Sequence, residues 1–415
     1  MDSFTEESRF FGMTSPEELV NRYGTPLYVY NEAILRERMR EMTGLLQDDA
    51  FVVNYSIKTN SNLSILKIAL EEGLNADAMS PGEIYLLLKA GFPPERIFYV
   101  GNNVSDEELR YAIDLGILTS LDSVSQMERF GRINRGGRCA VRLNPGIGAG
   151  HHRKVITAGK KTKFAVSEDE LGTALETASK YDLRIVGVNQ HIGSLFMDPT
   201  PFLEAVESFL ALAERFPDLE FVDLGGGFGI PYKKLDGEQS LDIGAYSSRL
   251  NRIISDWRIR YGRKITVKTE PGRYIAAECS VILGRVHAIK TSYGDKYVGT
   301  DIGMNVLVRP SMYNSWHDIE VYHRNKPVSA RNGTEKVTIV GNICETGDIL
   351  ASDRILPKIE EEDIICVLDS GAYGFSMASN YNNRLRPAEV LIGLDGKDRL
   401  IRRREELEDL MTFFP

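Results

Sequence analysis

Four short stretches hold residue types that could do chemistry together: Asn54-Tyr55-Ser56-Ile57-Lys58-Thr59-Asn60, His191-Ile192-Gly193-Ser194, Gly225-Gly226-Gly227-Phe228-Gly229-Ile230 and Glu270-Pro271-Gly272-Arg273. A lysine amine held partly out of water has a lowered pKa and can form a Schiff base with a carbonyl. Consecutive glycines leave backbone N–H groups open to close approach by an anion. A carboxylate beside an anion site, as Glu270 would be, needs a cationic partner. Singly, each feature has an ordinary reading: Lys58 as a solvated strand-end lysine, the glycines as a tight turn before a helix, His191 as a structural histidine. The glycines do not form G-x-G-x-x-G, because Ile230 and Tyr232 stand where the third glycine would fall, and a dinucleotide loop is a poor reading.

The elements that must position these residues are visible in the patterning. Apolar or β-branched runs at 51–57, 73–78, 96–100, 117–121, 138–143, 184–192, 219–224 and 264–270 alternate with stretches of helical period. Eight such units predict a (β/α)8 barrel, with a doubly wound open sheet as the alternative. The four motifs close runs one, six, seven and eight, and barrel chemistry sits at the C-terminal ends of the strands. Phosphate commonly binds after strands seven and eight, where the glycine cluster and Gly272 stand. A Schiff-base lysine, a phosphate cup, an acid and a histidine able to stack, all at one mouth, suit pyridoxal phosphate. The acid would keep the ring nitrogen protonated and the ring a strong electron sink.

After about residue 278 the texture changes. Strand-like runs at 280–289, 296–300, 320–322, 336–340, 364–368, 388–392 and 400–403 follow one another between glycine and proline turns, predicting a mostly antiparallel β domain. Residues 1–30 precede the barrel with a strand-like 26–30 that could pair with either part. The expected division is a barrel over 31–277 and a β domain over 1–30 and 278–415. That domain has its own clusters: Asp301-Ile302-Gly303-Met304-Asn305 with Arg309-Pro310 and Tyr313, Gly341-Asn342-Ile343-Cys344-Glu345-Thr346-Gly347-Asp348, and Gly371-Ala372-Tyr373-Gly374. Arginine and tyrosine suit a carboxylate-bearing substrate. Cys344 beside Glu345 could be an acid–base thiol, although a lone cysteine is usually a small packed residue.

Composition bounds the remaining possibilities. The chain has 415 residues, 42% of them apolar and 26% charged, so it can bury sizeable cores. Fifty basic against 59 acidic side chains give a net charge of −9 and no long basic block, which argues against nucleic acid or an anionic membrane as the main partner. No apolar run reaches the roughly 18 residues of a membrane span. The acidic start Met1-Asp2-Ser3-Phe4-Thr5-Glu6-Glu7 does not read as a signal peptide. Cys139, Cys279, Cys344 and Cys366 are scattered, and are expected as reduced thiols in a cytoplasmic protein. The pair His151-His152 has no further ligands at metal spacing and reads as loop; no metal is expected.

The ordered set Y-x-x-K-x-N, H-I-G-S, G-G-G-x-G, E-P-G-R, C-E-x-x-D and Y-N-x-R-x-R-P-A-E-V, running from Tyr55 to about Leu391, resembles the pyridoxal-phosphate decarboxylases of the alanine-racemase-like fold, and most closely their diaminopimelate-decarboxylase branch. The resemblance implies a barrel plus a C-terminal β-sandwich or barrel domain, and decarboxylation of meso-diaminopimelate to L-lysine and CO2. It implies that Lys58 holds the cofactor, His191 stacks on its ring, Ser194 lies near the phosphate, and Gly226, Gly227 and the segment Glu270, Gly272 and Arg273 bind phosphate and ring. Arg273, Arg309 and Tyr313 would hold the substrate carboxylate, Glu345 the distal amine, and Tyr373 would touch cofactor and substrate. It also implies a homodimer with the active site at the interface, so that Cys344 and Glu345 reach in from the second copy. Cys344 is then the candidate acid that reprotonates the substrate carbon, with Lys58 second.

Two departures bear on the substrate. Leu195 stands where the family often has glutamine, and residues 147–154 differ from the expected loop. Either could mark a related decarboxylase acting on ornithine, arginine, carboxynorspermidine or a carrier-linked amino acid. An amino-acid racemase of the same fold needs two bases, and no second base is evident. A non-catalytic cofactor carrier should have lost Lys58, Glu270 or Cys344, and all three are present.

Overall fold

The computed structural model describes residues 3–146, 162–328 and 333–415. The chain divides into two compact units, one of residues 38–230 and 240–274, the other of residues 3–37, 231–239 and 275–415 with the undescribed residues left aside. Residues 147–154, including His151 and His152, lie outside the described residues.

The first strand in the chain, Leu27–Asn31 (β1), belongs to the second unit. The eight predicted runs become Phe51–Ser56 (β2), Asn75–Ala78 (β3), Ile97–Tyr99 (β4), Leu118–Leu121 (β5), Arg138–Arg142 (β6), Arg184–Asn189 (β7), Phe221–Asp223 (β8) and Thr266–Thr269 (β9). All pair in parallel, and β2 returns to β9 to close the barrel. The connecting helices start where short polar side chains cap them: Asn62, Ser80, Ser105, Ser123 and Asp242 each accept a backbone N–H of the first turn.

Inside the barrel, side chains stack in layers. The floor is apolar: Phe98, Ala140, Val186 and Phe221 pack together with Leu118 and Met79. Gly187 makes room for Phe221, whose ring would lie 2.0 Å from any Cβ there. Further along the strands the lining turns polar. Asn54 Nδ2 donates to Asp223 (3.0 Å), Ser56 Oγ to Asp77 (3.0 Å) and Ser120 Oγ to Asn189 (2.6 Å). Pairing makes this burial of polar groups tolerable, although Asp77 Oδ1 and Asn189 Nδ2 find no hydrogen-bond partner among the described residues.

The second unit is built on one mixed sheet. Its strands are β1, Ser280–Ser292 (β10), Asp295–Thr300 (β11), Ile319–His323 (β12), Lys326–Pro327 (β13), Thr334–Val340 (β14), Ile349–Pro357 (β15), Ile364–Val367 (β16), Ala388–Ile392 (β17) and Asp398–Arg402 (β18). The order β13-β12-β16-β10-β1-β17-β18 is extended by β11 on β10, β14 on β11 and β15 on β14. The expected antiparallel pattern prevails, with parallel pairing at β1–β17 and β11–β14. Phe10, Leu27, Val29, Val281, Leu283, Ile364, Val390 and Ile392 form its core. Each such side chain contributes about 1.5–3 kcal/mol on burial. The inserted segment 231–239 is fixed in this unit by Lys234, whose buried ammonium lies 2.7 Å from both Glu278 and Asp369.

Candidate active site

In the barrel unit, the strands end in loops that carry the residues singled out above. Lys58 stands, half-buried, in the single turn Ile57–Thr59 directly after β2. His191 and Ser194 follow β7, Gly226 and Gly227 follow β8, and Glu270, Gly272 and Arg273 follow β9. Hydrogen bonds lace these loops together. The N–H of Glu270 and the hydroxyl of Thr269 both donate to the carbonyl of Gly225, at 2.9 and 2.7 Å. Phe196 N–H donates to Gly227 O and Gly229 N–H to Phe196 O, both at 3.0 Å. Arg273 Nη2 donates to Ser194 Oγ at 3.0 Å, and Ser56 N–H to Pro271 O at 3.2 Å. Gly226 N–H points at His191 Nδ1 at 3.4 Å.

Two glycines leave no alternative at their positions. A Cβ on Gly226 would lie 2.0 Å from the carbonyl oxygen of Glu270, and one on Gly272 would lie 2.1 Å from Thr59 Oγ1. Bare backbone is needed there for the loops to meet.

The electrostatics single out Glu270. Its carboxyl is buried, and its Oε1 accepts no hydrogen bond from the described residues. Burial first, and then the neighbouring Asp223, push its pKa up, while Lys58, Arg142 and Lys268 pull it back. Asp77 is raised by burial and then by Glu270, again against Lys58, and Glu83 by burial against the Met79 N–H and Lys58. Lys58 is thus within electrostatic reach of three acids. His191 is held well below the ordinary histidine range, by burial first and then by Lys58 and Arg142. It is a neutral ring near neutral pH, free of the charge that would repel another cation. A cation placed against Glu270 Oε1 would restore the carboxylate charge, and a protonated pyridine nitrogen is such a cation. With an anion-accepting glycine loop and a lysine amine in the same loops, these residues fit pyridoxal phosphate.

The second unit gathers the remaining candidates. Arg309, only 2% exposed, opens the helix Arg309–Tyr313. Its guanidinium carbon lies 5.4 Å from the Tyr232 ring and 6.0 Å from the ring of Tyr373, which adopts φ +58°. Tyr313 closes the same helix. Ser311 Oγ ties the helix to Gly347 O at 2.7 Å, in the turn that displays Cys344 and Glu345 at the surface. Cys344 N–H donates to Asn382 Oδ1 (2.7 Å), and Tyr381 Oη to Glu345 Oε2 (3.5 Å).

The structure therefore brings together Lys58, His191, Ser194, Gly226, Gly227, Glu270, Gly272 and Arg273 in one unit, and Arg309 with Tyr373 in the other. Sequence reasoning missed Asp77, Glu83, Arg142 and Asp223. Three of them had a signal, an ionisable residue inside a buried apolar run: Asn75-Ala76-Asp77-Ala78, Arg138-Cys139-Ala140-Val141-Arg142 and Phe221-Val222-Asp223. Among the described residues, no three His, Cys, Asp or Glu side chains group to hold a metal, and no helix is long and apolar enough to cross a membrane.

Comparison with known proteins bears on the same residues. The pyridoxal binding domain of the pyridoxal-dependent decarboxylases matches residues 32–277. A diaminopimelate decarboxylase of Methanothermobacter thermautotrophicus is 44% identical over 95% of this chain and 92% of its own length. One from Aquifex aeolicus is 37% identical over 96% of this chain and 94% of its own. A solved diaminopimelate decarboxylase superposes with a TM-score of 0.89 at 30% identity, covering 97% of this chain and 98% of the other. The Helicobacter pylori enzyme complexed with L-lysine does so with 0.86 at 33% identity, over 95% of this chain and 98% of the other.

Proposed function

Since the chain belongs to the pyridoxal-dependent decarboxylases and, within them, to the diaminopimelate decarboxylases, we propose that it decarboxylates meso-2,6-diaminopimelate to L-lysine and CO2 with pyridoxal 5'-phosphate as cofactor. The observation that carries this reading is the buried Glu270 carboxyl with an unclaimed oxygen, beside Lys58 and the glycine loop. When bound, pyridoxal phosphate supplies an electron sink for the pair left on the substrate carbon as CO2 departs.

The protein's own residues do the rest. Lys58 would hold the cofactor through its amine. Gly226 and Gly227 offer backbone N–H groups to the phosphate, with Ser194 and Arg273 adding polar and cationic contacts. Glu270 holds the proton on the ring nitrogen by offering that nitrogen a carboxylate. His191, neutral, lies against the ring. Arg273, Arg309, Tyr313 and Tyr373 orient the substrate carboxylates, and Glu345 takes the distal ammonium. Cys344 delivers a proton to the substrate carbon. The enzyme works as a homodimer in the cytoplasm, with Cys344 and Glu345 acting in the site of the second copy; four free thiols are consistent with a reducing compartment.

The test supplies meso-diaminopimelate, ornithine, arginine, lysine and carboxynorspermidine separately to cofactor-loaded protein, with Lys58→Ala as the blank. Stoichiometric CO2 and L-lysine from meso-diaminopimelate alone is the expected outcome; turnover of another substrate instead would refute the substrate assignment. Cys344→Ala is expected to lower kcat by about 10²–10⁴-fold, the range for losing a positioned proton donor, while leaving cofactor binding intact. An unchanged kcat would remove Cys344 from the proton-transfer role.

A further inference from the structure

The proposed chemistry leaves two cations on the barrel strands without a task, Arg142, which lies 3.8 Å from Asp122, and Lys268. Lys268 lies on β9, directly beside Asp223 of β8 in the parallel register and beside Val52 of β2. Its Nζ is 3.9 Å from the centre of the Phe221 ring and 5.4 Å from that of Phe98. The ammonium is thus set into the apolar floor. Burial there disfavours the charge and lowers its pKa, while the ring faces and the acids Asp223, Glu270 and Glu220 favour it. A lysine in such a place is costly unless it balances a charge.

The acid opposite Lys268 in the strand register is Asp223, whose field favours the ammonium charge at longer range than a direct ion pair. This carboxyl is completely buried and held by two donors, Asn54 Nδ2 at 3.0 Å and Gly225 N–H at 2.9 Å. It therefore fixes the first glycine of the loop after β8, and through the Gly225 carbonyl it is joined to the backbone of Glu270. Two buried carboxyls, Asp223 and Glu270, face one another's fields. The other charged groups acting on them are Lys58 after β2, Asp77 on β3 and Arg142 on β6.

We propose that Lys268 is a positioning residue that neutralises Asp223 from the barrel floor and so lets Glu270 keep a carboxylate against the ring nitrogen of the cofactor. This rests on the reading of the barrel mouth as a pyridoxal-phosphate site. Two adjacent buried carboxyls without a counter-cation share a proton. Removing the Lys268 charge would let the pair take up that proton, and the ring nitrogen would lose its partner. The directions of the local shifts agree: Asp223 raises Glu270, and Lys268 opposes the rise in both.

The experiment is a pH titration of ring-nitrogen protonation by NMR, with ¹⁵N-labelled pyridoxal phosphate bound to the full-length protein. Lys268→Met is expected to lower the midpoint by about one pH unit or more, a shift typical of losing a nearby buried charge, and to weaken cofactor binding measured by dialysis. Lys268→Met combined with Asp223→Asn is expected to return the midpoint toward wild type, because the charge that needed balancing is gone. Asp223→Asn alone is expected to raise it. A Lys268→Met protein that loads cofactor with an unshifted midpoint overturns the proposal. If Lys268→Met does not fold, Asp223→Asn decides, and an unshifted midpoint there overturns it equally. Wild-type protein that takes up no labelled cofactor overturns the underlying site assignment, an outcome distinct from the other two.

Discussion

Glu270 shows how a single side chain can be unfavourable for folding and necessary for chemistry. Its buried carboxyl holds a proton to higher pH in the folded chain than in the unfolded one. From the ordinary carboxyl range up to about pH 8, the folded cofactor-free protein therefore binds more protons at Glu270 than the unfolded chain does, and above about pH 7 an unfolded histidine is mostly neutral and no longer opposes this. Stability must then fall as pH rises through the neutral range. Urea midpoints of the cofactor-free protein at pH 6.5 and 8.5 should show this fall, and Glu270→Gln should reduce it, because glutamine does not titrate. The same substitution is expected to cut kcat by about 10²–10³-fold, comparable to removing one preorganised electrostatic contact. A glutamine variant with wild-type kcat would contradict the role given to Glu270.

At the scale of the element, the strand-end loops matter more than the strands. Gly226→Ala is expected to fold, because the strands β8 and β9 are unaffected, yet to lose cofactor affinity by at least tenfold. Its methyl group would meet the Glu270 carbonyl and force apart the two loops that the site joins. Equilibrium dialysis against pyridoxal phosphate, beside a thermal melt of the cofactor-free protein, separates these effects. Most strands were legible for a simple reason: an element with one buried face repeats its apolar residues at the period of its backbone. The barrel runs were legible in another way, as short continuous apolar runs, because parallel barrel strands are buried on both faces. The strand β15 escaped because its alternation breaks in the middle. Leu350, Ala351, Arg354 and Leu356 are buried, while Ser352 and Asp353 are consecutively exposed at an irregularity in the pairing with β14, where Asp353 takes φ +52°. An extra residue in a ladder shifts the period by one, and a reading based on period two misses it.

At the scale of the whole molecule, the chain stores charge in its interior and pairs it over long sequence distances. Lys234 lies in the nine-residue segment 231–239, which returns from the barrel sequence to the sheet unit, and meets Glu278 and Asp369 there. Lys234→Met should destabilise that unit by about 3–5 kcal/mol, since it leaves two buried carboxylates without a counter-ion. Urea unfolding measures the loss, and adding Asp369→Asn should recover part of it. A loss below 1 kcal/mol would show that the triad is not held as described. The eightfold alternation, the order of the motifs and the loops that carry them were legible in the sequence, because these are properties of neighbouring residues. The place of β1 between β10 and β17, with partners more than 240 residues away in the chain, emerges only when the sheet assembles. Closure of the barrel also brings Asp77, Arg142 and Asp223 within electrostatic reach of Glu270 and sets Lys268 against Phe221. Which way a strand residue points is fixed by the register of its neighbours across the sheet, and that register exists only once the barrel closes.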